Sequence, residues 1–355
     1  MELPVTMRAI RKLSDAPGLD FCPSIEIPEI GPRDVLVAVT HAGICGTDRH
    51  IYEWDAWSKN RVAIGITTGH EFVGTVVKVG DAVVRTEVGA RVSAEGHVGC
   101  GICEQCRTGN GHICDVVDII GIDVNGCFAD FVSIPEENIW PVHPKIPDKI
   151  AAVFDPLGNA VHTVMAAGVS GKSVLITGVG IIGLMSVTVA KAAGAGKIFV
   201  TDVDEKRLEL ARQLGADEAF DAREPWIEKV RQSAGGTGVH CLVEMSGHPQ
   251  AIRDGFAAMR NGGRAAMLGI PSNDISIDLS QMIFKGVTVL GINGRRMYET
   301  WYQMENLILS DRLELDPIIT HVLEMKDFES GFKICLLYTS PSPRDLSTSR
   351  MPSSA

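Results

Sequence analysis

Four cysteines fall within fifteen residues of one another: Cys100, Cys103, Cys106 and Cys114. The spacing C-x2-C-x2-C-x7-C supplies four thiolates, enough to close a tetrahedral shell around zinc and leave no open position. A closed shell cannot activate a substrate, so this cluster reads as structural. An iron–sulfur cluster is the other chemistry that four cysteines can serve, but the β-rich surroundings give no sign of electron transfer. The remaining cysteines Cys22, Cys127, Cys241 and Cys335 read as simple buried thiols. An odd total of nine also fits poorly with a disulfide framework.

A second set of metal donors is dispersed. Cys45-Gly-Thr47-Asp-Arg-His50 comes first, and Gly69-His70-Glu71 follows. Cysteine, histidine and glutamate together offer three ligands and one open position, the arrangement of a catalytic zinc site. Spacing alone does not join Cys45 to His70, because a lone His–Glu pair is ordinarily a buried polar pair or part of a solvated face. What favours the catalytic reading is the rest of the chain.

Thr177-Gly-Val-Gly-Ile-Ile-Gly183 carries GxGxxG at Gly178, Gly180 and Gly183, and Asp202 stands 19 residues further on. The glycines follow an apolar run, Val174–Thr177, and precede a helical pattern over Leu184–Ala193, which together make a dinucleotide fingerprint. Gly178 permits the tight turn, Gly180 lets a pyrophosphate approach backbone N–H groups, and Gly183 lets helix and strand pack closely. Asp202 can accept hydrogen bonds from the adenosine ribose and would repel a 2′-phosphate, so NAD is expected rather than NADP. Arg207 is expected beside the adenine or ribose.

These groups need elements to hold them. The first 150 residues contain short β-type runs such as Val35–Val39 and Phe72–Val77, punctuated by glycine, proline and aspartate. Near Asp155 the pattern changes. Strands are expected at 174–177, 198–201, 240–244, 265–268 and 288–291, with helices at 184–193, 205–214 and 250–260 between them. Such alternation predicts a doubly wound parallel sheet. A further helix over 297–309 is expected to lead back to the first domain. The α/β chain therefore divides into a mainly β zinc-binding domain (1–155 and 301–336) and a Rossmann dinucleotide-binding domain (156–300).

Size and charge agree. A chain of 355 residues is about two domains long. A formal net charge of -11 gives nucleic acid and anionic membranes little to bind. No apolar run approaches the roughly 20 residues that span a bilayer, and no signal-peptide pattern opens the chain, so a cytoplasmic enzyme is expected. Residues 337–355 turn to Ser, Pro and Arg with little apolar content, and read as a disordered or non-native tail.

In this order and at these intervals, the Cys-Gly-Thr-Asp, Gly-His-Glu, four-cysteine and GxGxxG motifs resemble the zinc-dependent medium-chain alcohol dehydrogenases. The resemblance covers roughly residues 7–333. It is carried further by Ile44–Trp57, Glu95-Gly-His97, Phe154–Thr163, Glu244–Gly247, Ala266–Pro271 and Gly291–Tyr302. Trp54-Asp-Ala-Trp57 points to the branch that oxidises L-threonine, and away from sorbitol and butanediol dehydrogenases. The resemblance implies a GroES-like catalytic domain and two zinc ions per subunit. Cys45, His70 and Glu71 would hold the catalytic ion, with Asp155 close by as a relay or supporting carboxylate. Thr47 and His50 would form the proton path, and Ile182, Asp202, Arg207, Leu268, Gly269, Ile270, Ile292 and Asn293 would line the NAD site. It also implies a small-molecule substrate, L-threonine, oxidised at its 3-hydroxyl, and a homotetramer. A polyol or diol substrate is the alternative. His97 reads equally as a pocket wall or a loop cap, and His162 as structural. The family usually begins near Met7, and its last strand is expected to be missing here, which would expose a sheet edge.

Overall fold

The computed structural model describes residues 3–271 and 273–339. The first half is built on a five-stranded antiparallel sheet in the order Ile139–Pro141, Arg91–Ala94, Glu71–Val79, Asp34–Gly43, Phe131–Pro135. A smaller sheet places Thr6–Lys12 between Asp20–Glu26 and Ile66–Thr67. Alternation is visible where one face is wet: in Phe131–Pro135 the even positions Val132 and Ile134 are buried and their neighbours half-buried. Val35, Val37, Phe72, Val76 and Val92 fill the core beneath these strands.

The second half is a six-stranded parallel sheet in the order Glu218–Asp221, Lys197–Asp202, Ser173–Thr177, Val239–Glu244, Met259–Met267, Thr288–Gly291. That is the doubly wound order, reversing direction beside Ser173–Thr177. Val174, Leu175 and Ile176 in that central strand are all fully buried, as expected where helices cover both faces. The register pairs Thr177 with Thr201 on one side and Glu244 on the other, so the strand ends align at one rim.

The helix Phe154–Ala167 joins the halves. Ten of its residues are buried, and a helix that is apolar nearly all round belongs inside a core. Phe154, Leu157, Val161 and Val164 share one cluster with Val73 and Trp140 of the first half and Val174 and Val243 of the second. Trp301 and Met304 of the helix Glu299–Leu309 complete it.

Several boundaries differ from expectation. The helix after the glycine-rich turn begins at Ile181, not Leu184. The helix Pro249–Ala258 stops two residues early because a strand begins at Met259. That strand runs six residues further back than expected, through Gly262 in a left-handed conformation and a register shift between Val239 and Cys241, a bulge that reads in sequence as a breaker. The short, half-buried edge strand Glu218–Asp221 has no hydrophobic run to announce it. The helix Phe328–Thr339 continues through 337–339, where the tail was expected to begin; the remainder of that tail lies outside the described residues. No described helix is long and apolar enough to cross a membrane.

Candidate active site

Cys100, Cys103, Cys106 and Cys114 converge, their sulfurs all within 4.8 Å of one another. Backbone N–H groups point at them: Cys100 N donates to Cys114 Sγ (3.3 Å), Cys103 N to Cys100 Sγ (3.3 Å) and Cys106 N to Cys103 Sγ (3.4 Å). These donors favour the thiolate form. The N–H groups of Cys106 and Asp115 hold Cys103 down to about 6, while Cys106 is pushed up to about 12, first by burial. Sulfurs this close cannot all ionise against one another, and a dication resolves the conflict. The donor set fits a closed zinc site.

The second cluster assembles at the junction of the halves. Cys45 precedes the helix Gly46–Glu53, while His70 and Glu71 lie at the start of the strand Glu71–Val79. Cys45 Sγ and His70 Nε2 are 3.2 Å apart. His70, Glu71 and Asp155 offer ligand atoms within 4.8 Å of one another, as do Cys45, Asp48 and His70. The four expected residues Cys45, His70, Glu71 and Asp155 therefore meet in one buried place. Burial pushes the Cys45 thiol well up, with help from Asp48 and Glu71. Burial likewise pushes the Glu71 carboxyl up, and Asp155 and Asp48 add to it. Three carboxylates and a thiol crowded away from water call for positive charge, which a divalent cation would supply.

Two residues here are given no role by the sequence reading. Asp48 is fully buried and accepts from Cys45 N at 3.0 Å. Its other oxygen faces His70 Nδ1 at 4.0 Å, and neither atom has a hydrogen-bond partner among the described residues. With His70 Nε2 turned to Cys45, Asp48 is placed to orient the ring from behind. Arg295 is fully buried, with Nη1 paired to Asp155 Oδ2 and Nη2 to Glu95 Oε1. Glu95 also accepts from Trp301 Nε1 (2.8 Å) and lies 2.9 Å from His97 Nδ1. Burial works against the Glu95 charge, but Arg295 and His97 prevail and hold it down to about 2.

The remaining expected residues are placed as follows. Thr47 lies in the first turn after Cys45. His50 closes the last turn of the same helix, half exposed, with Nδ1 2.6 Å from Asp55 Oδ2. His97 packs beside Gly294, where an added Cβ would come within 3.1 Å of the ring. His162 Nδ1 meets the Gly294 carbonyl at 2.9 Å, a structural contact, and its ring meets that of His112 edge-on at 5.5 Å. Arg295 thus ties the loop that leaves the strand Thr288–Gly291 to the metal cluster, and His162 ties it to the helix Phe154–Ala167.

The dinucleotide turn has the form its glycines require. Gly178 has φ +82°, and a Cβ there would lie 2.7 Å from Ser246 Cβ. At Gly183 a Cβ would strike the Gly178 carbonyl oxygen at 2.1 Å. Gly180, in contrast, faces nothing within 4 Å among the described residues. It heads the helix Ile181–Ala192 with no side-chain cap, so the first N–H groups, Ile182 included, stay available to an anion. The Asp202 carboxylate accepts from Val179 N (2.8 Å), Val203 N (2.8 Å) and Asp204 N (3.0 Å). Arg207 lies 3.8 Å from it, so this cation is engaged by Asp202. Leu268 and Gly269 donate to the Glu244 carbonyl, and Ile270 is 91% exposed beside them. Ile292 N bonds to Met267 O at 2.9 Å, and Asn293 follows it, exposed. The site fits a dinucleotide.

Comparison with known proteins agrees with this geometry. Residues 31–145 match the alcohol dehydrogenase GroES-like domain and residues 182–310 the zinc-binding dehydrogenase domain. The L-threonine 3-dehydrogenase of Symbiobacterium thermophilum is 46% identical over 93% of this chain and 94% of its own. This chain belongs to the zinc-binding alcohol dehydrogenase family. Zinc and NAD are its cofactors. The L-threonine 3-dehydrogenase of Chromobacterium violaceum is 44% identical over 93% of this chain and 96% of its own. The crystal structure of 2R,3R-butanediol dehydrogenase from Bacillus subtilis is similar with a TM-score of 0.85, at 26% identity over 94% of this chain and 97% of that one.

Proposed function

We propose that this enzyme oxidises the 3-hydroxyl of L-threonine to 2-amino-3-oxobutyrate while NAD+ is reduced to NADH. The observation that carries the reading is the 46% identity over nearly the full length to a relative named for that reaction, with all the expected metal donors gathered in place. The butanediol dehydrogenase shares the fold at only 26% identity.

In this reading Cys45, His70 and Glu71 hold the catalytic zinc, and Cys100, Cys103, Cys106 and Cys114 the structural one. When bound, the catalytic ion supplies a Lewis acid that makes the substrate hydroxyl more acidic, and NAD supplies the hydride acceptor. The chain does the rest. Asp48 faces His70 Nδ1 from behind, placed to orient the ring. Arg295 balances the charge of Asp155, keeping that carboxylate close to the metal donors. Thr47 and His50 carry the hydroxyl proton outward to solvent. Gly178, Gly180, Ile182 and Gly183 admit the pyrophosphate, Asp202 accepts from the adenosine ribose, and Arg207 lies beside it. Leu268, Gly269, Ile270, Ile292 and Asn293 line the rest of the NAD site. Residues 1–155 with 301–336 form the zinc-binding unit, and 156–300 the NAD-binding unit.

The assembly we propose is a homotetramer. Among the described residues nothing pairs with the outer side of the edge strand Thr288–Gly291, and Leu279, Ile283 and Phe284 of the neighbouring helix are exposed, a surface suited to another copy of the chain. A set of metal-binding thiols also fits a reducing compartment, the cytoplasm. The test of substrate is NADH formation from L-threonine beside 2,3-butanediol and sorbitol. Turnover of L-threonine alone is expected, whereas turnover of a diol without threonine would overturn the substrate assignment.

A further inference from the structure

The segment that follows Cys45 contains an arrangement that the zinc and NAD sites do not explain. The helix Gly46–Glu53 ends at Trp54, whose backbone is left-handed at φ 57° and ψ 50°. A side chain other than glycine or asparagine adopts this conformation only when its surroundings enforce it. Here they do. The indole is buried, its Nε1 donates to Asp15 Oδ1 at 2.5 Å, and the Lys12 ammonium lies 4.1 Å above the ring. Lys12 is in turn fully buried and donates to the carbonyls of Ala16 and Gly18. An N-terminal strand and its following loop thus clamp Trp54.

The reversal at Trp54 turns the chain back on the helix it has just left. Asp55, the next residue, divides its carboxylate between two tasks. Oδ1 accepts from Ser58 N at 2.9 Å and caps the helix Ala56–Arg61, while Oδ2 lies 2.6 Å from His50 Nδ1. Trp57 adds its ring edge-on to His50 at 6.2 Å. Other charged groups nearby are paired elsewhere. Arg49 and Glu53 lie 2.8 Å apart, Arg61 and Asp123 2.6 Å, and Glu329 and Lys333, on the helix packed against Gly46–Glu53, 3.6 Å. Lys59 is carried on the capped helix itself.

We propose that Asp55 is the positioning residue of the proton path: it holds His50 by Nδ1, leaving Nε2 as the nitrogen that takes the proton. This rests on the reading of His50 as a proton carrier. A carboxylate can only accept, so the neutral ring must place its proton on Nδ1 and keep a lone pair on Nε2. The ring is also kept from rotating about its side-chain bonds, although it is half exposed. The incoming proton goes to Nε2, and the same nitrogen releases it to water, so no other reactant is needed. Trp54 is the reason Asp55 can reach a ring on the preceding turn.

The capping task and the positioning task separate by mutation. Asp55→Asn still caps the helix, since asparagine serves there as well as aspartate, but it no longer presents a charged acceptor to His50. With L-threonine and NAD, His50→Ala is expected to lower kcat about a hundredfold and Asp55→Asn about tenfold. The solvent deuterium isotope effect on kcat should rise in Asp55→Asn, with the melting temperature near that of the parent. The double variant should be no slower than His50→Ala alone, because Asp55 acts only through His50. Asp55→Ser, another capping substitution, serves the same cycle if Asp55→Asn does not fold. A parental rate in His50→Ala overturns the relay and this proposal together. A slow His50→Ala beside a parental Asp55→Asn overturns this proposal alone. Additive losses in the double variant do the same, for they make Asp55 a scaffold of the loop.

Discussion

At the residue scale, proximity decides what each group can do. Cys45 and His70 touch, and both lie where Glu71 and Asp155 crowd them. Replacing Cys45 with serine substitutes a weak ligand for a thiolate. We expect Cys45→Ser to bind one zinc per chain instead of two and to lose at least about a thousandfold in kcat. Metal analysis and steady-state rates on one preparation check both. Glu95 makes a different prediction. Its carboxyl is held at about 2 in the folded chain, against about 4.3 in an unfolded one. Between those values the unfolded chain binds more protons, so the Glu95 contribution is complete above about pH 4.3 and disappears as the pH falls towards 2. Its size is on the order of 3 kcal/mol. Denaturant titrations at pH 7 and at pH 3 should show Glu95→Gln clearly less stable than the parent at pH 7, with that deficit roughly halved at pH 3. An equal deficit at both would show that the charge of Glu95 is not what stabilises the fold.

The same scale shows what could be read from the sequence. The four cysteines and the glycine-rich turn were legible because their partners are close in the chain, and spacing alone carries geometry. His70-Glu71 was ambiguous until other motifs supported it, since 25 positions separate His70 from Cys45. Arg295 carries no such signal: its partner Glu95 lies 200 positions away, and only the fold brings them together. Asp48 lies inside a recognised motif, yet its task depends on the direction in which His70 points, which no spacing encodes.

At the scale of elements, long apolar periodic segments were legible and short or irregular ones were not. Glu205–Leu214 has the expected bounds, with Asp204 capping its start and Gly215 its end. The strand Met259–Met267 is legible in sequence only in its last residues, because a bulge at adjacent glycines interrupts the alternation. The loop after Thr288–Gly291 matters most to function, since His162 and Arg295 fasten it to both halves. Arg295→Leu removes the cation between two buried carboxylates. We expect it to lower the melting temperature by several degrees and kcat by at least about tenfold. Arg295→Lys should recover part of the stability, as a lysine cannot form both pairs at once. Thermal denaturation of the two variants beside the parent tests this.

At the scale of the whole molecule, chemistry is placed where one cluster of buried side chains joins the two halves. The helix Phe154–Ala167 contributes Asp155 to the metal cluster and Leu157, Val161 and Val164 to the common core, so the site and the joint between the halves are one structure. The edge at Thr288–Gly291 bears on assembly. Phe284 is 86% exposed, and Phe284→Asp should shift the sedimentation equilibrium towards smaller species without changing the fold measured by circular dichroism. An unchanged mass would place the contact elsewhere.

Zinc-dependent oxidation of L-threonine is the proposed activity. The most direct test is NADH formation from L-threonine and NAD before chelation, after chelation, and after zinc is restored. Activity should be lost with the metal and return with it. Threonine oxidation that survives removal of all zinc would contradict that proposal.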